Sequence, residues 1–317
     1  MGLHKNKLYG LYSKLHLTLT HLDSASSNSN KNKEEVMREV QYEDIKSAVA
    51  KLAINACCIQ TPDIKRAFSA AKGSEKSALG QNILDTLIEN GKIAESNMMP
   101  ICQDTGMTVV FVEIGQDVHI TGGYLEDAIN EGIKEGYTNG YLRKSVVEEP
   151  LYERKNTTNN SPAVIHTRMI KGDKLHLKVC PKGFGSENKS ILKMLVPADG
   201  IEGVKKVFTE AVKLAGPNAC PPMVIGVGIG GTMEKAALLA KQAAVREIDS
   251  KNPDARYAKL EEELLEIANS TGVGPQGLGG TTTAFKVNVE WYPTHIAGLP
   301  VAVNINCHAA RHADIEL

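Results

Sequence analysis

The chain has 317 residues, of which 42% are hydrophobic, so it can bury one large core or two modest ones. Its formal net charge of −1 leaves no excess of positive charge to bind nucleic acid or an acidic membrane surface. No apolar run approaches the roughly 20 residues of a bilayer-spanning helix, and no early segment has the apolar centre of a secretory signal. We therefore expect a globular protein of the cytoplasm.

The first 35 residues show neither helical nor strand periodicity. The run from Ser24 to Lys33 consists almost entirely of Ser, Asn and Lys, which is too polar to bury a core. We predict that residues 1–35 form a disordered extension. A targeting presequence is the alternative, although no arginine precedes Arg38, and Met37 is a further candidate for the natural first residue.

Helices and strands alternate in the pattern that begins at residue 36. Helical spacing starts at Ile45, the Pro62 that follows Thr61 begins a second helix, and a third helical pattern is predicted to stop at Asn90-Gly91. The further predicted elements are a strand over 108–114, a helix over 123–137, a strand over 175–180, a helix over 204–212, a strand over 223–227, helices over 235–248 and 255–268, and strands over 282–289 and 301–305. No internal repeat is visible. We expect one compact mixed α/β (α+β) catalytic unit over residues 36–317, with room for two lobes.

Two glycine-rich segments resemble nucleotide-binding loops but lack parts of those motifs. Residues 226–231 satisfy GxGxxG after a short strand, whereas a dinucleotide-binding unit must return to a second parallel strand that ends in an acidic residue. We predict that a second helix follows instead and that this strand is missing. Residues 272–280 lack the GK[ST] ending of an ATP-binding loop. Both segments favour a close approach of the backbone to a bulky group, with a flexible surface loop as the alternative.

The six cysteines fall into two groups by their position in the predicted elements. In the reducing cytoplasm, cysteines are more often free thiols or metal ligands than disulfides, and the chain has no CxxC pair. Three of them, Cys102, Cys220 and Cys307, lie in polar, turn-rich segments at element ends, so a metal site would have to be assembled from distant segments. The other three lie inside predicted elements, where a thiol usually packs as a small hydrophobic group. These are Cys57, Cys58 and Cys180.

Six segments of the chain, taken in order, resemble the motifs of class I (iron–sulfur) fumarate hydratases and of the related L-tartrate dehydratase α subunit. They read ICQDTG at 101–106, KGFGSEN at 182–188, GPNACPP at 216–222, GVGIGGT at 226–232, GPQGLGG at 274–280 and NCHAARH at 306–312. The resemblance covers residues 34–317 and implies that Cys102, Cys220 and Cys307 bind a [4Fe–4S] cluster. Phe184 departs from the KGGGSEN of many relatives, which leaves its effect on the substrate pocket open.

The resemblance implies a hydro-lyase that reversibly hydrates fumarate to (S)-malate. Three thiolates leave one iron of the cluster open, and that iron would act as a Lewis acid on the substrate. Asp104 would then handle a proton at the substrate hydroxyl, although an aspartate in Gln-Asp-Thr-Gly is equally a turn former. The resemblance also points to Arg143 as a ligand of a substrate carboxylate, with Gln103 and the backbone of Gly185 as further contacts.

The resemblance further places His295 near the active site, and we predict a catalytic role for it. His308 lies beside Cys307, and its role stays open between a structural and a functional hydrogen bond. Single-chain relatives carry a second domain with the remaining catalytic residues. We therefore expect a β subunit, an (αβ)₂ assembly, a small dicarboxylate substrate and a place in the tricarboxylic acid cycle. An L(+)-tartrate dehydratase α subunit is the alternative, and a non-catalytic iron–sulfur or nucleotide-binding module is a distant one.

Overall fold

Three β-sheets organise residues 37–317, which are the part of the chain that this computed structural model describes. The helices are α1 (Tyr42–Cys58), α2 (Pro62–Ser74), α3 (Ala78–Asn97), α4 (Leu125–Asn139), α5 (Phe184–Glu187), α6 (Gly200–Ala215), α7 (Met233–Ala243) and α8 (Ala255–Ser270). The strands are β1 (Arg38–Gln41), β2 (Met107–Gly115), β3 (Val118–Thr121), β4 (Val164–Ile170), β5 (Leu175–Lys182), β6 (Ile191–Leu195), β7 (Met223–Gly230), β8 (Ala284–Tyr292), β9 (Leu299–Asn306) and β10 (Ala313–Glu316). The predicted extension over residues 1–35 lies outside the described residues.

The first large sheet has the strand order β10-β5-β2-β4 and is covered by α1 and α4. Apolar side chains at helical spacing, including Ile45 of α1 and Ile133 of α4, pack on alternate residues of β5 such as Leu177. Strand β5 runs antiparallel to β2, so the last residue of β5, Lys182, pairs with the first residue of β2, Met107. The loops that precede β2 and follow β5 therefore leave the sheet at the same edge.

The second large sheet has the order β6-β9-β7-β8, with helices on both faces. Helices α6 and α8 pack against one face around Phe208 and Leu264, and α7 packs against the other. Strand β8 is parallel to β7, while β9 is antiparallel to it. A sheet with helices on both faces buries its central strand on both sides, and every residue of β7 is buried. The two mixed sheets with their helices confirm the predicted mixed α/β class.

The GxGxxG segment serves helix packing. The predicted close approach of its backbone is to α7, whereas the alternative of a flexible surface loop is wrong. Gly226 and Gly228 lie inside β7 and not in a loop. Glycine is required at Gly226 because a Cβ there would lie 2.0 Å from the carbonyl oxygen of Ala240 in α7. A Cβ on Gly228 would lie 2.1 Å from the carbonyl oxygen of Ala236. The prediction that no parallel strand follows was also wrong, since α7 and α8 lead into β8 beside β7. The glycines nevertheless face α7, which leaves no space there for a nucleotide.

Helix α3 continues past Asn90-Gly91, where the sequence predicted its end. Gly91 is buried in the helix, and a Cβ there would lie 2.5 Å from Oε1 of Gln60. Glycine is therefore needed for the close contact with Gln60 and not for a turn. The helix ends instead at Met98, whose φ of 49° is left-handed.

Helix α7 ends earlier than the sequence predicted, at Ala243 instead of residue 248. The buried side chain of Asn288 in β8 donates hydrogen bonds to the carbonyl oxygens of Ala243 and Arg246, at 3.1 and 3.4 Å. These carbonyl groups accept hydrogen bonds from a residue of the neighbouring strand, so the chain can leave the helix there.

No helix within residues 37–317 is long and apolar enough to cross a membrane.

Candidate active site

The ends of the two large sheets meet at the loops that carry three cysteines. Strand β9 ends at Asn306, which pairs with Val224 near the start of β7, so Cys220 and Cys307 lie at the same end of this sheet. The segment after Cys307 crosses to the first sheet, where β10 pairs with β5. Cys102 lies in the loop before β2, and its neighbour Ile101 packs in one apolar cluster with Cys307. The fold thus gathers the cysteines from three distant segments.

The loop that carries Cys102 is tied down on both sides of the thiol. The N–H of Ile101 donates to the carbonyl oxygen of Cys57 at 2.9 Å. On the other side, the hydroxyl of Thr105 donates to the carbonyl oxygen of Arg143 at 3.0 Å. Cys102 itself is partly exposed. Its sulfur is therefore presented at the surface from a fixed backbone.

Asp104 joins this loop to the KGFGSEN segment. Its Oδ1 accepts the N–H of Gly106 at 3.0 Å, and its Oδ2 accepts the N–H of Phe184 at 3.0 Å. Gly183 approaches the same carboxylate so closely that a Cβ there would lie 3.2 Å from Oδ2. The hydrogen bond to Gly106 is the turn contact expected for aspartate in this motif. The two hydrogen bonds fix the orientation of the carboxylate. The carboxylate is still accessible because the side chain is only partly buried.

Cys220 follows a short 3₁₀ turn and has left-handed backbone angles, with φ 50°. Its carbonyl oxygen accepts the backbone N–H of His308 at 3.2 Å and lies 3.0 Å from Nδ1 of the same histidine. The next carbonyl oxygen, that of Pro221, accepts the backbone N–H and the side-chain amide of Gln276 at 2.8 and 2.7 Å. Burial lowers the pKa of His308, so the ring is neutral at pH 7. His308 therefore holds the backbone of Cys220, which favours the structural side of the open assignment.

The three sulfur atoms lie within electrostatic range of one another. Desolvation raises the pKa of the Cys220 thiol, and the nearby Cys307 and Cys102 raise it further. Within residues 37–317, no group of three or more His, Cys, Asp or Glu side chains is arranged to hold a single metal ion. A cubane cluster needs a wider arrangement, because each thiolate binds a different iron. Three cysteine side chains from separate loops therefore have the chemistry that a cluster requires.

Arg311 places a buried guanidinium beside these cysteines. No role was predicted for this residue from the sequence. Only 5% of the residue is exposed. Its Nε donates to the carbonyl oxygen of Pro181 at 3.1 Å, and a Cβ on Gly183 would lie 2.9 Å from Nη2. Its Nη1 is buried and has no hydrogen-bond partner among the described residues. Burial opposes the charged form, but electrostatic interaction with the acidic groups around it, Cys307 first, keeps the pKa of Arg311 above its ordinary value. A buried cationic donor without a partner matches an anionic group held by the thiols.

The predicted substrate contacts lie around the same loops. Gln103 is exposed, and its Oε1 lies 3.4 Å from Sγ of Cys102. Gly185 is exposed in α5, and a Cβ there would lie 3.1 Å from the carbonyl oxygen of Asn218 in the Cys220 loop. The side chain of Arg143 is exposed, while its backbone holds the Cys102 loop. These residues border the cysteines on the open side of the site.

His295 lies at the opposite end of the second sheet from the cysteines. It follows Tyr292, which pairs with Gly230 at the far end of β7, whereas Cys220 and Cys307 adjoin the start of β7. Eight strand residues at about 3.3 Å each separate the two ends by roughly 25 Å. His295 is exposed, and its Nδ1 accepts the N–H of Ala297 at 3.2 Å. The fold of this chain does not bring His295 to the thiols.

The mixed α/β fold thus brings three thiols, one fixed carboxylate and one buried guanidinium to neighbouring loops. Residues 46–316 match the family described as Fumarate hydratase (Fumerase). The chain belongs to this family of hydro-lyases.

Several relatives carry the name of another reaction of the same class. A protein of Methanocaldococcus jannaschii named "Putative L(+)-tartrate dehydratase subunit alpha" is 42% identical over 274 residues, which cover 85% of this chain and 96% of that protein. The L(+)-tartrate dehydratase subunit alpha of Escherichia coli K12 is 33% identical over 261 residues, which cover 80% of this chain and 86% of that protein. The protein of the same name from Shigella sonnei has the same identity and coverage. The likeness therefore extends over nearly the whole of these relatives.

Proposed function

We propose that this chain is the α subunit of a [4Fe–4S]-dependent hydro-lyase that interconverts fumarate and (S)-malate. The observation that carries the proposal is the convergence of Cys102, Cys220 and Cys307 next to the fixed carboxylate of Asp104. The family match supports the reaction type, because it covers the segments that supply all four residues.

Cys102, Cys220 and Cys307 would hold the cluster, since thiolates are the ligands that iron–sulfur clusters prefer. When bound by only three thiolates, the cluster supplies a Lewis-acidic iron for the departing hydroxyl group. Asp104 would hold the proton of the substrate hydroxyl. Its two backbone hydrogen bonds fix one orientation of the carboxylate and leave lone pairs free to accept that proton.

The substrate contacts follow from the charge of a dicarboxylate. Arg143 is exposed and forms no ion pair with the described residues, so its guanidinium is free to bind a carboxylate through two parallel hydrogen bonds. The amide of Gln103 and the backbone N–H of Gly185 would add further donors. All three belong to segments that contact the cysteine loops, so they are the candidate ligands of the two substrate carboxylates.

A β subunit is part of the proposal because the site on this chain is open. Cys220, Gln103, Gly185 and Arg143 are all exposed, whereas charge-stabilising catalysis works best in a pocket that excludes water. The relatives named as α subunits support a partner of this kind. We expect the β subunit to cover the exposed thiols and to supply the remaining catalytic residues in an (αβ)₂ assembly. A cytoplasmic location and a place in the tricarboxylic acid cycle stay predictions from the sequence.

His295 keeps its predicted catalytic role only as a hypothesis. Its position at the far end of β7 means that it would have to reach the cysteines of another copy of the chain in the assembly. A His295→Ala variant in the reconstituted enzyme should then lower turnover while the cluster content stays unchanged. Unchanged turnover would remove His295 from the site.

The substrate is the part of the proposal that needs a direct assay. L(+)-tartrate dehydration to oxaloacetate is the second candidate, and the names of the relatives favour it. The chain would be co-expressed with its β partner without oxygen and its cluster reconstituted. Fumarate formation from (S)-malate and oxaloacetate formation from tartrate would then be measured side by side. Turnover of malate supports the proposal, turnover of tartrate alone moves the substrate, and turnover of neither with an intact cluster contradicts the proposed reaction.

A further inference from the structure

We infer that Arg311 is the built-in counter-charge of the group that the three cysteines hold, and that its free Nη1 donates a hydrogen bond to that group. The inference rests on the proposed function, because it requires an anionic cluster at this position. It assigns a role to a residue that the chemistry of substrate binding leaves unused.

The guanidinium of Arg311 is buried, and burying a charge costs free energy. The residue is 5% exposed, and its Nη1 has no partner among the described residues. A buried charge is tolerated only where it is paired and its donors are hydrogen-bonded. Within the described part of the chain, the one hydrogen bond of this side chain, from Nε to the carbonyl oxygen of Pro181, does not supply an opposite charge. The native protein must therefore place an anion against the guanidinium.

The residues around Arg311 identify that anion by elimination. Within residues 37–317, Arg311 forms no ion pair with an aspartate or glutamate. Asp104 approaches the same glycine, Gly183, but its oxygens accept two backbone N–H groups and form no hydrogen bond with Nη1. Cys57 faces Arg311, but burial raises the pKa of its thiol to about 12, so it is neutral at pH 7. Burial likewise raises the pKa of Tyr137, whose hydroxyl donates to a backbone carbonyl oxygen. The remaining nearby anions are the sulfurs of the ligand cysteines.

The bound group itself would carry negative charge. Three thiolates outweigh the positive charge of a [4Fe–4S] core, and the incoming dicarboxylate adds further negative charge. Net charge and hydrogen bonds to sulfur set the reduction potential of such a cluster. A fixed cation beside the thiolates would stabilise the more negative, reduced form. Removing this cation should therefore make the cluster harder to reduce.

The test measures the cluster directly and does not depend on turnover. The full chain and its variants Arg311→Met and Arg311→Lys would be reconstituted with iron and sulfide without oxygen, and the reduction midpoint determined by electron paramagnetic resonance. Arg168→Met is the matched control, because Arg168 is an exposed arginine of β4. At the wild-type midpoint, Arg311→Met should lower the ratio of reduced to oxidised cluster by about tenfold, which is about 59 mV for one electron. Arg311→Lys keeps the charge and should stay close to the wild type, as should the control.

A measurement on the wild type covers the case in which Arg311→Met does not fold. Arginine labelled with nitrogen-15 in the guanidinium should give a nitrogen hyperfine coupling to the reduced cluster, and Arg143→Met should retain this coupling. A wild-type chain without a cluster would overturn the proposed function and this inference with it. A cluster with no arginine coupling, or one whose midpoint is the same in Arg311→Met, would overturn the inference alone.

Discussion

Replacing Glu75 by glutamine should destabilise the folded chain by about 3 kcal/mol at pH 7. Glu75 follows α2, is 2% exposed, and accepts the backbone N–H groups of Ser77, Thr281 and Thr282 at 2.8, 2.9 and 2.8 Å. It thereby fixes the glycine-rich segment 274–280, from which Gln276 supports the Cys220 loop. A glutamine has nearly the same size but lacks the charge, and its NH₂ group cannot accept these hydrogen bonds.

The magnitude follows from the shift in the pKa of Glu75. Desolvation opposes ionisation, yet the backbone donors lower the pKa from its ordinary 4.5 to about 2. A carboxyl group with a lowered pKa in the folded state contributes stability above its unfolded pKa, at about 1.36 kcal/mol per pKa unit. The contribution is therefore complete at pH 7, and it is lost as the pH falls from about 4.5 through about 2. At pH 3.5, about 2 kcal/mol should remain.

The assay is urea unfolding of the full chain, followed by circular dichroism at pH 7 and at pH 3.5. Glu262→Gln is the matched control, because Glu262 is exposed on α8, and it should leave the free energy of unfolding unchanged. A difference below 1 kcal/mol between the wild type and Glu75→Gln at pH 7 would refute this account of Glu75. So would a difference that stays constant between the two pH values.

Three further predictions concern the site and its scaffold. Replacing any one of the three proposed ligand cysteines by serine should remove most of the iron bound after reconstitution, whereas Cys180→Ser, inside buried β5, should retain it; equal iron contents would contradict the ligation. Asp104→Asn should lower turnover of the αβ enzyme by at least about 100-fold with an unchanged iron content, and a loss of iron instead would mean that Asp104 acts through the loop. Gly226→Ala should cost about 3 kcal/mol or prevent folding because its Cβ would meet α7, while Gly73→Ala, with nothing within 4 Å, should not destabilise α2; urea unfolding of both variants decides this.

Elements with regular apolar spacing could be predicted from the sequence because the pattern is local. The strand over 108–114 and the helix over 123–137 appear as β2 and α4 within two residues at each end. Gly91 was misinterpreted as a turn, because a turn and a close approach need the same residue, and the partner that Gly226 approaches could not be named. Gly91 and Gly226 touch Gln60 and Ala240, which lie far away in sequence or on a later helix, and only the fold shows these contacts.

The cysteines of the candidate site could be predicted because each lies in a short sequence motif. The positions of Arg311 and His295 relative to these cysteines could not be predicted, because they depend on how the strands are arranged. Cys102, Cys220 and Cys307 lie at element ends, as the turn-rich segments around them indicated. Arg311 escaped notice because its buried contacts are with Pro181 and Gly183, which lie far away in sequence. The distance of His295 from the thiols follows from the antiparallel run of β9 beside β7, which a linear motif does not encode.

The central claim is that three cysteines of this chain hold a cluster with one open iron. The most direct measurement is Mössbauer spectroscopy of the anaerobically reconstituted αβ enzyme, labelled with iron-57, before and after addition of (S)-malate. We predict about four iron ions per α chain, of which one changes its spectrum when the substrate binds. Irons that all stay unchanged at saturating malate, or a protein that retains no cluster, would contradict the claim.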